Sequence, residues 1–373
     1  MQYCTACILP DTRPGIVIDG SGVCNACQNS HQKKQSIDWL QREQVFQEVV
    51  KQAKELSHGY DCLIPVSGGK DSTWQVIKCL EYGLNPLAVT WKTPARTKLG
   101  QKNLDNLVSL GVDHIDYQVN PTVERKFMLK ALEQYGSTAI PMHMAIFHIP
   151  LTLAVKFQIP LIVWGENSAF EYGTDEEALA GFHLDQQWFK KFGVTQGTTA
   201  QDWVSPDLTA KALTPYFAPK AMELAQAKVL AVFLGYYFPW DPETSLHVAL
   251  THGFQVRQEG PKLGYYNYAD IDDDFISIHH YLKWYKFGIT RTWDNLSLEI
   301  RNQRVTREAA IEALCQRGDE TPHEDIEKFC AFVGIKKTSF FEIIEKFRNP
   351  HIWYNEAGVW KIRDFLIADW NWP

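Results

Sequence analysis

Apolar runs of strand length alternate with amphipathic helical stretches from residue 61 onward. This alternation constrains the fold more than any other feature of the chain. Residues 61–66 read as a strand, 72–82 as a helix with Val76, Ile77 and Leu80 inward, and 86–91 (PLAVTW) as a second strand. Residues 99–110 read as a helix, 113–118 as a short strand, 123–134 and 144–157 as helices, and 160–164 as a strand. Strands separated by helices of this length pair in parallel through right-handed crossovers, with helices on both faces. The expected class is therefore α/β, an open, mostly parallel sheet. Residues 228–234 (KVLAVFL) return to that sheet and 242–252 follow as a helix.

Composition narrows the function classes. A 45% hydrophobic, 22% charged chain of 373 residues has ample material for a core and is not disordered. Its net charge of −7, without a lysine or arginine block, does not favour a broad nucleic-acid-binding face. The first residues lack a basic segment followed by an apolar run, so no secretory signal is expected. Residues 148–164, the most membrane-like stretch, hold His148, Lys156, Gln158 and two prolines, too polar and short to span. A cytoplasmic protein without membrane contact is expected.

Cys4, Cys7, Cys24 and Cys27 form two C-x-x-C pairs around a turn-rich segment. Four thiolates from two tight knuckles suit tetrahedral Zn²⁺ and leave no open position, so the site reads as structural; an iron–sulfur cluster takes the same ligand count. Cys62, Cys79, Cys315 and Cys330 stand in apolar contexts and read as core thiols. Residues 37–56 follow as a connecting helix with Trp39, Leu40, Val45 and Val49 on its apolar side. Residues 166–210 read as loops and short helices around a site, and 270–287 as an aromatic helix. The last 70 residues read as helices, with Thr321 as one N-cap and Ser339, followed by Glu342, as another. The division is a cysteine module over 1–35, an α/β domain over 36–240 and a mostly helical region over 241–373.

The first strand runs into Ser67-Gly68-Gly69-Lys70-Asp71-Ser72 and then a helix. Such a turn aims backbone N–H groups at a ligand from the positive end of a helix and suits a phosphate. Ser67, Ser72 and Thr73 could donate hydroxyl hydrogens, Lys70 could neutralise charge, and Asp71 fits a Mg²⁺ ligand beside the phosphate. The order is neither G-x-x-x-x-G-K-[ST] nor G-x-G-x-x-G. After the strand at 160–164 come Gly165-Glu166-Asn167 and Glu171-Tyr172-Gly173, which should face the glycine turn across the crevice at the sheet's carboxyl edge. There Glu166 could hold Mg²⁺ or orient the attacking group, Asn167 could bond a sugar or carbonyl, and Glu171 could act as acid, base or ligand.

SGGKDS resembles the PP-loop of the ATP pyrophosphatases, which implies that fold and a loop gripping the pyrophosphate of ATP while a substrate oxygen attacks the α-phosphate. The resemblance also implies that the end of the second strand, Val89, Thr90 and Trp91, holds adenine. The cysteine pairs with ILPDTRPGI, the SGGKDST loop, GEN…EYG and YYNYADIDDDFISIHHYLKWYKFGITRTWDNLSLEIR together resemble the N-acetyl sugar amidotransferase family of surface-polysaccharide biosynthesis. Thr174 departs from the glycine that commonly follows EYG there. The resemblance implies conversion of an acetamido sugar, usually nucleotide-linked, to an acetamidino sugar, with ATP, Mg²⁺ and ammonia from a separate glutaminase subunit. In keeping with this, no cysteine follows Met1 to act as a glutaminase nucleophile. Lys286 or Arg291 is expected near the sugar nucleotide's phosphates, and Asp273, Asp274 or His279 near the sugar. The competing readings are a tRNA-modifying enzyme with the same loop and a non-catalytic scaffold.

Overall fold

The computed structural model describes residues 1–165 and 195–372. Among these residues, one parallel sheet has the strand order β3-β2-β1-β4-β5. Its strands are β1 (Cys62–Pro65), β2 (Pro86–Trp91), β3 (Asp113–Tyr117), β4 (Leu161–Trp164) and β5 (Leu230–Phe233). The chain steps outward from β1 to β3, then returns to place β4 on the other side of β1. Because crossovers are right-handed, that reversal puts the connecting helices on opposite faces. After α1 (Asn25–Ser36), the helices α2 (Trp39–Leu56), α3 (Lys70–Glu81) and α4 (Lys98–Val108) cover one face; α5 (Pro121–Tyr135) and α6 (Ala139–Phe157) cover the other.

The two-residue period of the strands divides their side chains between two cores. Cys62, Ile64, Leu161, Val163 and Val232 face α2 to α4, while Leu63, Leu87, Val89, Ile162, Trp164 and Phe233 face α5 and α6. Burial on both sides explains why these strands read as continuous apolar runs. The α/β class with helices on both faces is thus observed. Helix α6 starts at Ala139, earlier than expected, because Pro141 falls in its first turn, where no N–H is needed. By length and composition alone α6 could cross a membrane, but Ile140, Met144, Ile149 and Leu153 pack into the sheet's core.

A third core gathers helices Ile276–Phe287, Arg291–Arg301, Arg307–Arg317, His323–Val333 and Lys337–Glu345, together with Ile8 and, from α5, Met128 and Leu132. The region is not all helix. Strands β6 (Trp353–Glu356) and β7 (Val359–Ile362) form a hairpin whose two loop residues, Ala357 and Gly358, both have positive φ, as its tight turn requires. Neither expected cap is formed. The Thr321 hydroxyl donates to Asp319 Oδ2 at 2.7 Å, and Ser339 lies inside helix Lys337–Glu345. Of the scattered thiols, Cys62, Cys79 and Cys330 are buried but Cys315 is exposed.

Helix α2 also differs from expectation. Leu40 and Val45 are 74% and 46% exposed, whereas Phe46, Val50 and Ala53 are buried. Of the expected residues, Val49 does pack against this core and Trp39 lies on the same stripe, seven residues before Phe46, whereas Leu40 and Val45 each stand beside the stripe that packs. Phe46→Ala should therefore cost about 3–5 kcal/mol in urea denaturation, and Leu40→Ala should stay within about 0.5 kcal/mol.

Candidate active site

The turn between β1 and α3 lies where the sheet order reverses, the position at which a crevice opens beyond the strand ends. Gly68 has φ +86°, and a Cβ there would lie 2.7 Å from the backbone nitrogen of Leu104 on α4. Both the dihedral and the close approach require glycine. Ser67 N–H donates to Ser72 Oγ at 3.0 Å and Gly69 N–H to Ser67 Oγ at 3.2 Å, folding the turn on itself. Thr73 is fully buried; its N–H and its hydroxyl both donate to Gly69 O at 3.0 Å. The N–H groups of Lys70, Asp71 and Ser72 precede that first intrahelical bond and form the positive end of α3.

Aromatic side chains set the loop's charged pair. Lys70 is buried, with Nζ 2.6 Å from Asp71 Oδ1, 5.3 Å from the ring centre of Trp240 and 5.7 Å from that of Tyr268. Trp240 Nε1 donates to Asp71 Oδ1 at 2.9 Å. Asp71 is therefore a fixed, partly exposed carboxylate beside the loop, its second oxygen also 2.7 Å from Lys70 Nζ.

Residues 268–274, from the C-terminal region, seat on this edge of the sheet. Thr97 N–H donates to Asp272 O, and Asp274 N–H donates to Ala95 O, both at 3.0 Å, immediately beyond β2. Asp272 comes beside Ser67, and burial raises its pKa to about 6. Asp273 accepts from the Thr93 hydroxyl at 2.7 Å and from Phe275 N–H at 3.0 Å; burial pushes it up to about 7. Burial also raises Glu124, with a further push from Asp273, to about 8, although Trp91 Nε1 donates to it at 3.0 Å.

The other candidate residues separate into those the fold brings to this edge and those it does not. Thr90 is buried in β2, with Oγ1 2.9 Å from His114 Nε2, and Gly165 directly follows β4, its carbonyl accepting from Gly235 N–H. Glu166, Asn167 and Glu171 lie outside the described residues. Asp274 turns to Lys262 at 2.5 Å and Lys328 at 2.6 Å, away from the loop. Lys286 donates to Tyr135 O at 2.7 Å, and burial lowers its pKa to about 8. Arg291 Nε donates to Asp270 Oδ2 at 2.8 Å, while the rings of His279 and His280 lie 5.2 Å apart. Sequence reasoning missed Trp240, Tyr268 and Asp272. The last directly precedes the two aspartates that were singled out, and only tertiary pairing tells which of three consecutive aspartates meets the loop.

The four cysteine sulfurs lie within 4.8 Å of one another. Cys7 and Cys24 Sγ are 3.7 Å apart and Cys4 and Cys27 Sγ are 4.0 Å apart. A tetrahedron with metal–sulfur bonds of about 2.3 Å has edges of about 3.8 Å, so the set fits one Zn²⁺ better than a larger cluster. Backbone N–H groups of Cys7 and Cys24 point at Cys4 Sγ, at 3.4 and 3.2 Å, as thiolate-stabilising knuckles do. The module is tied to the C-terminal region by Arg307, which donates to Cys7 O, and by Arg13 Nε, 2.6 Å from Asp294 Oδ1.

Residues 264–366 match the family described as the C-terminal domain of WbpG-like LPS biosynthesis proteins. No curated protein matches the chain in sequence. Among solved structures, the chain is similar to a predicted subunit of tRNA methyltransferase from Methanocaldococcus jannaschii: 16% identity, 51% of this chain and 75% of that one, TM-score 0.28. It is also similar to NMN synthetase from Francisella tularensis: 11% identity, 57% of this chain and 97% of that one, TM-score 0.27. With scores this low, the fold class rests on the sheet order itself.

Two outcomes follow from this geometry. Because Glu124 keeps its proton in the native protein after the unfolded chain has lost it, stability should fall as pH rises from about 4.5 to about 8. Glu124→Gln should flatten that fall by at least about 1.4 kcal/mol between pH 5 and 8, a pKa step of one unit being worth that much. Denaturation midpoints across this range check it. Elemental analysis should find one zinc per chain, and Cys24→Ser should lose it together with a drop in thermal midpoint.

Proposed function

We propose that this protein is the synthetase component of an ATP-dependent amidotransferase in lipopolysaccharide biosynthesis, converting the acetamido group of a nucleotide-linked N-acetyl sugar to an acetamidino group. Ammonia would come from a separate glutaminase subunit. One observation carries the reading: the segment seated beside the glycine turn lies in the very region, 264–366, that matches the LPS-biosynthesis family, as it would if a phosphate-binding loop and a sugar-binding region served one reaction.

The chemistry follows from the weakness of an amide as an electrophile. Its oxygen would attack the α-phosphorus of ATP, breaking the bond to pyrophosphate and forming an O-adenylyl imidate. Ammonia would add to the imidate carbon and expel AMP, leaving the amidine and releasing one proton. The turn's N–H groups and Lys70 face the leaving pyrophosphate, where fixed donors stabilise charge that develops in the transition state. Asp71 is the residue that would hold Mg²⁺, which neutralises phosphate charge. Trp240 and Tyr268 limit water around Lys70, which strengthens its field.

With ATP, Mg²⁺, ammonium and UDP-N-acetyl sugars, the purified protein should form AMP and pyrophosphate and a sugar whose amide oxygen is replaced by an imino group. Lys70→Met should slow AMP formation by about 100-fold or more while the fold persists. Formation of ADP instead of AMP would contradict attack at the α-phosphorus.

A further inference from the structure

Close to the segment that meets the loop, basic side chains from three separate parts of the chain gather in one cluster. Arg13 comes from the cysteine module, His143 from α6, His279, His280 and Lys283 from helix Ile276–Phe287, and Arg291 from the start of the next helix. Lys283 Nζ lies 3.0 Å from Asp294 Oδ2, on the carboxylate whose other oxygen takes Arg13. The His143 and His279 ring centres are 5.9 Å apart. His280 is only 6% exposed, yet neither ring nitrogen makes a hydrogen bond; Nε2 stands 3.5 Å from Asp270 Oδ1 without alignment.

We infer that Arg13, His143, His279, His280, Lys283 and Arg291 form the subsite for the diphosphate of a nucleoside-diphosphate sugar, and that His280 and Lys283 contact its oxygens. Four considerations support this. A buried imidazole without a partner is costly, and an anionic oxygen would satisfy it. Burial and the nearby Lys283 and Arg291 lower the pKa of His280 to about 4, so at neutral pH the ring carries a single N–H, free to turn to a ligand. Arg13, Lys283 and Arg291 outnumber their carboxylate partners Asp270 and Asp294 by one, which leaves the cluster, among the described residues, with charge of the sign a diphosphate needs. The position also fits. Asp270 pairs with Arg291 while Asp272, two residues on, lies beside Ser67, so at most about 7 Å of chain separates the two sites. In a 2-acetamido sugar the anomeric phosphate and the acetamido group are on adjacent carbons. A diphosphate held here would bring that acetamido group to the loop.

This inference rests on the sugar-nucleotide reading above, and calorimetry can separate the two. UDP, UDP-N-acetylglucosamine and UDP-N-acetylgalactosamine would be titrated into the full chain saturated with α,β-methylene-ATP. His280→Phe and Lys283→Gln should each weaken binding of the UDP compounds by about tenfold or more, the loss expected for one charge-assisted hydrogen bond. Affinity for α,β-methylene-ATP should stay the same, and Lys283→Arg should recover most of the loss. His280→Phe removes no internal hydrogen bond and should keep the wild-type thermal midpoint, so it decides the matter if Lys283→Gln fails to fold. Unchanged UDP-sugar binding in His280→Phe and any folded Lys283→Gln would overturn the subsite and leave the reaction intact. A wild-type protein that binds α,β-methylene-ATP but none of the UDP compounds would overturn both.

Discussion

The docking of residues 268–274 onto the end of β2 is the interaction on which the rest of the site depends. Two backbone hydrogen bonds, from Thr97 N–H to Asp272 O and from Asp274 N–H to Ala95 O, fix a C-terminal segment against a strand that precedes it by some 180 residues. Because these bonds are made by main chain, they set the segment's register without regard to its side chains. That register sends Asp272 to the loop, Asp273 into the protein beneath Thr93, and Asp274 out to Lys262 and Lys328. Three identical residues in succession thereby acquire three environments. Their pKa values separate accordingly, the inner two rising through burial and the third falling because two lysines outweigh burial.

How much of this was legible in the sequence depends on how local each cause is. The sheet strands and the helix after the glycine turn follow from residues close together in the chain, and their positions agree with the periodic patterns to within a few residues. Gly68 belongs to the same class, since a strand–turn–helix with adjacent glycines announces a backbone that must bend. The face of α2 followed only in part: Val49 packs, but Val45 and Phe46 are equally apolar and only the sheet's position chooses between them. The caps at Thr321 and Ser339 did not follow. The first hydroxyl finds Asp319 closer than the helix, and the second lies three residues beyond the cap position, which Lys336 takes. The separation of Lys286 from Arg291 is equally non-local: Lys286 finds the carbonyl that ends α5.

The cysteine module looks peripheral in the chain, yet it is joined to the interior by charge. Asp294 is 2% exposed and takes Arg13 from the module on one oxygen and Lys283 on the other. A carboxylate this deeply buried is costly unless both oxygens are satisfied, so loss of either cation would leave an uncompensated charge. Burial pushes its pKa upward, but Arg13 and Lys283 together hold it far below the usual range. The module thus positions an arginine that the C-terminal core requires, and fixing the module fixes the arginine. Thr12 adds a second tie by donating its hydroxyl to Phe287 O at 2.6 Å, at the end of the helix that carries His279, His280 and Lys283.

These two kinds of construction suit the two things the crevice would have to hold. A phosphate chain presents similar oxygens whatever it is attached to, so a contiguous turn can recognise it with main-chain N–H groups; only glycine at the tightest point and a lysine nearby are needed. A particular sugar and its carrier must be told apart from close relatives, which takes side chains aimed from several directions. Here those directions come from the module, from α6 and from two C-terminal helices, elements that meet only once the sheet and the segment at 268–274 are in place. On the proposed reading, recognition of the common part of the reaction would be written in one short motif. Recognition of the specific part would be distributed from Arg13 to Arg291, and its residues come together only when the chain is folded.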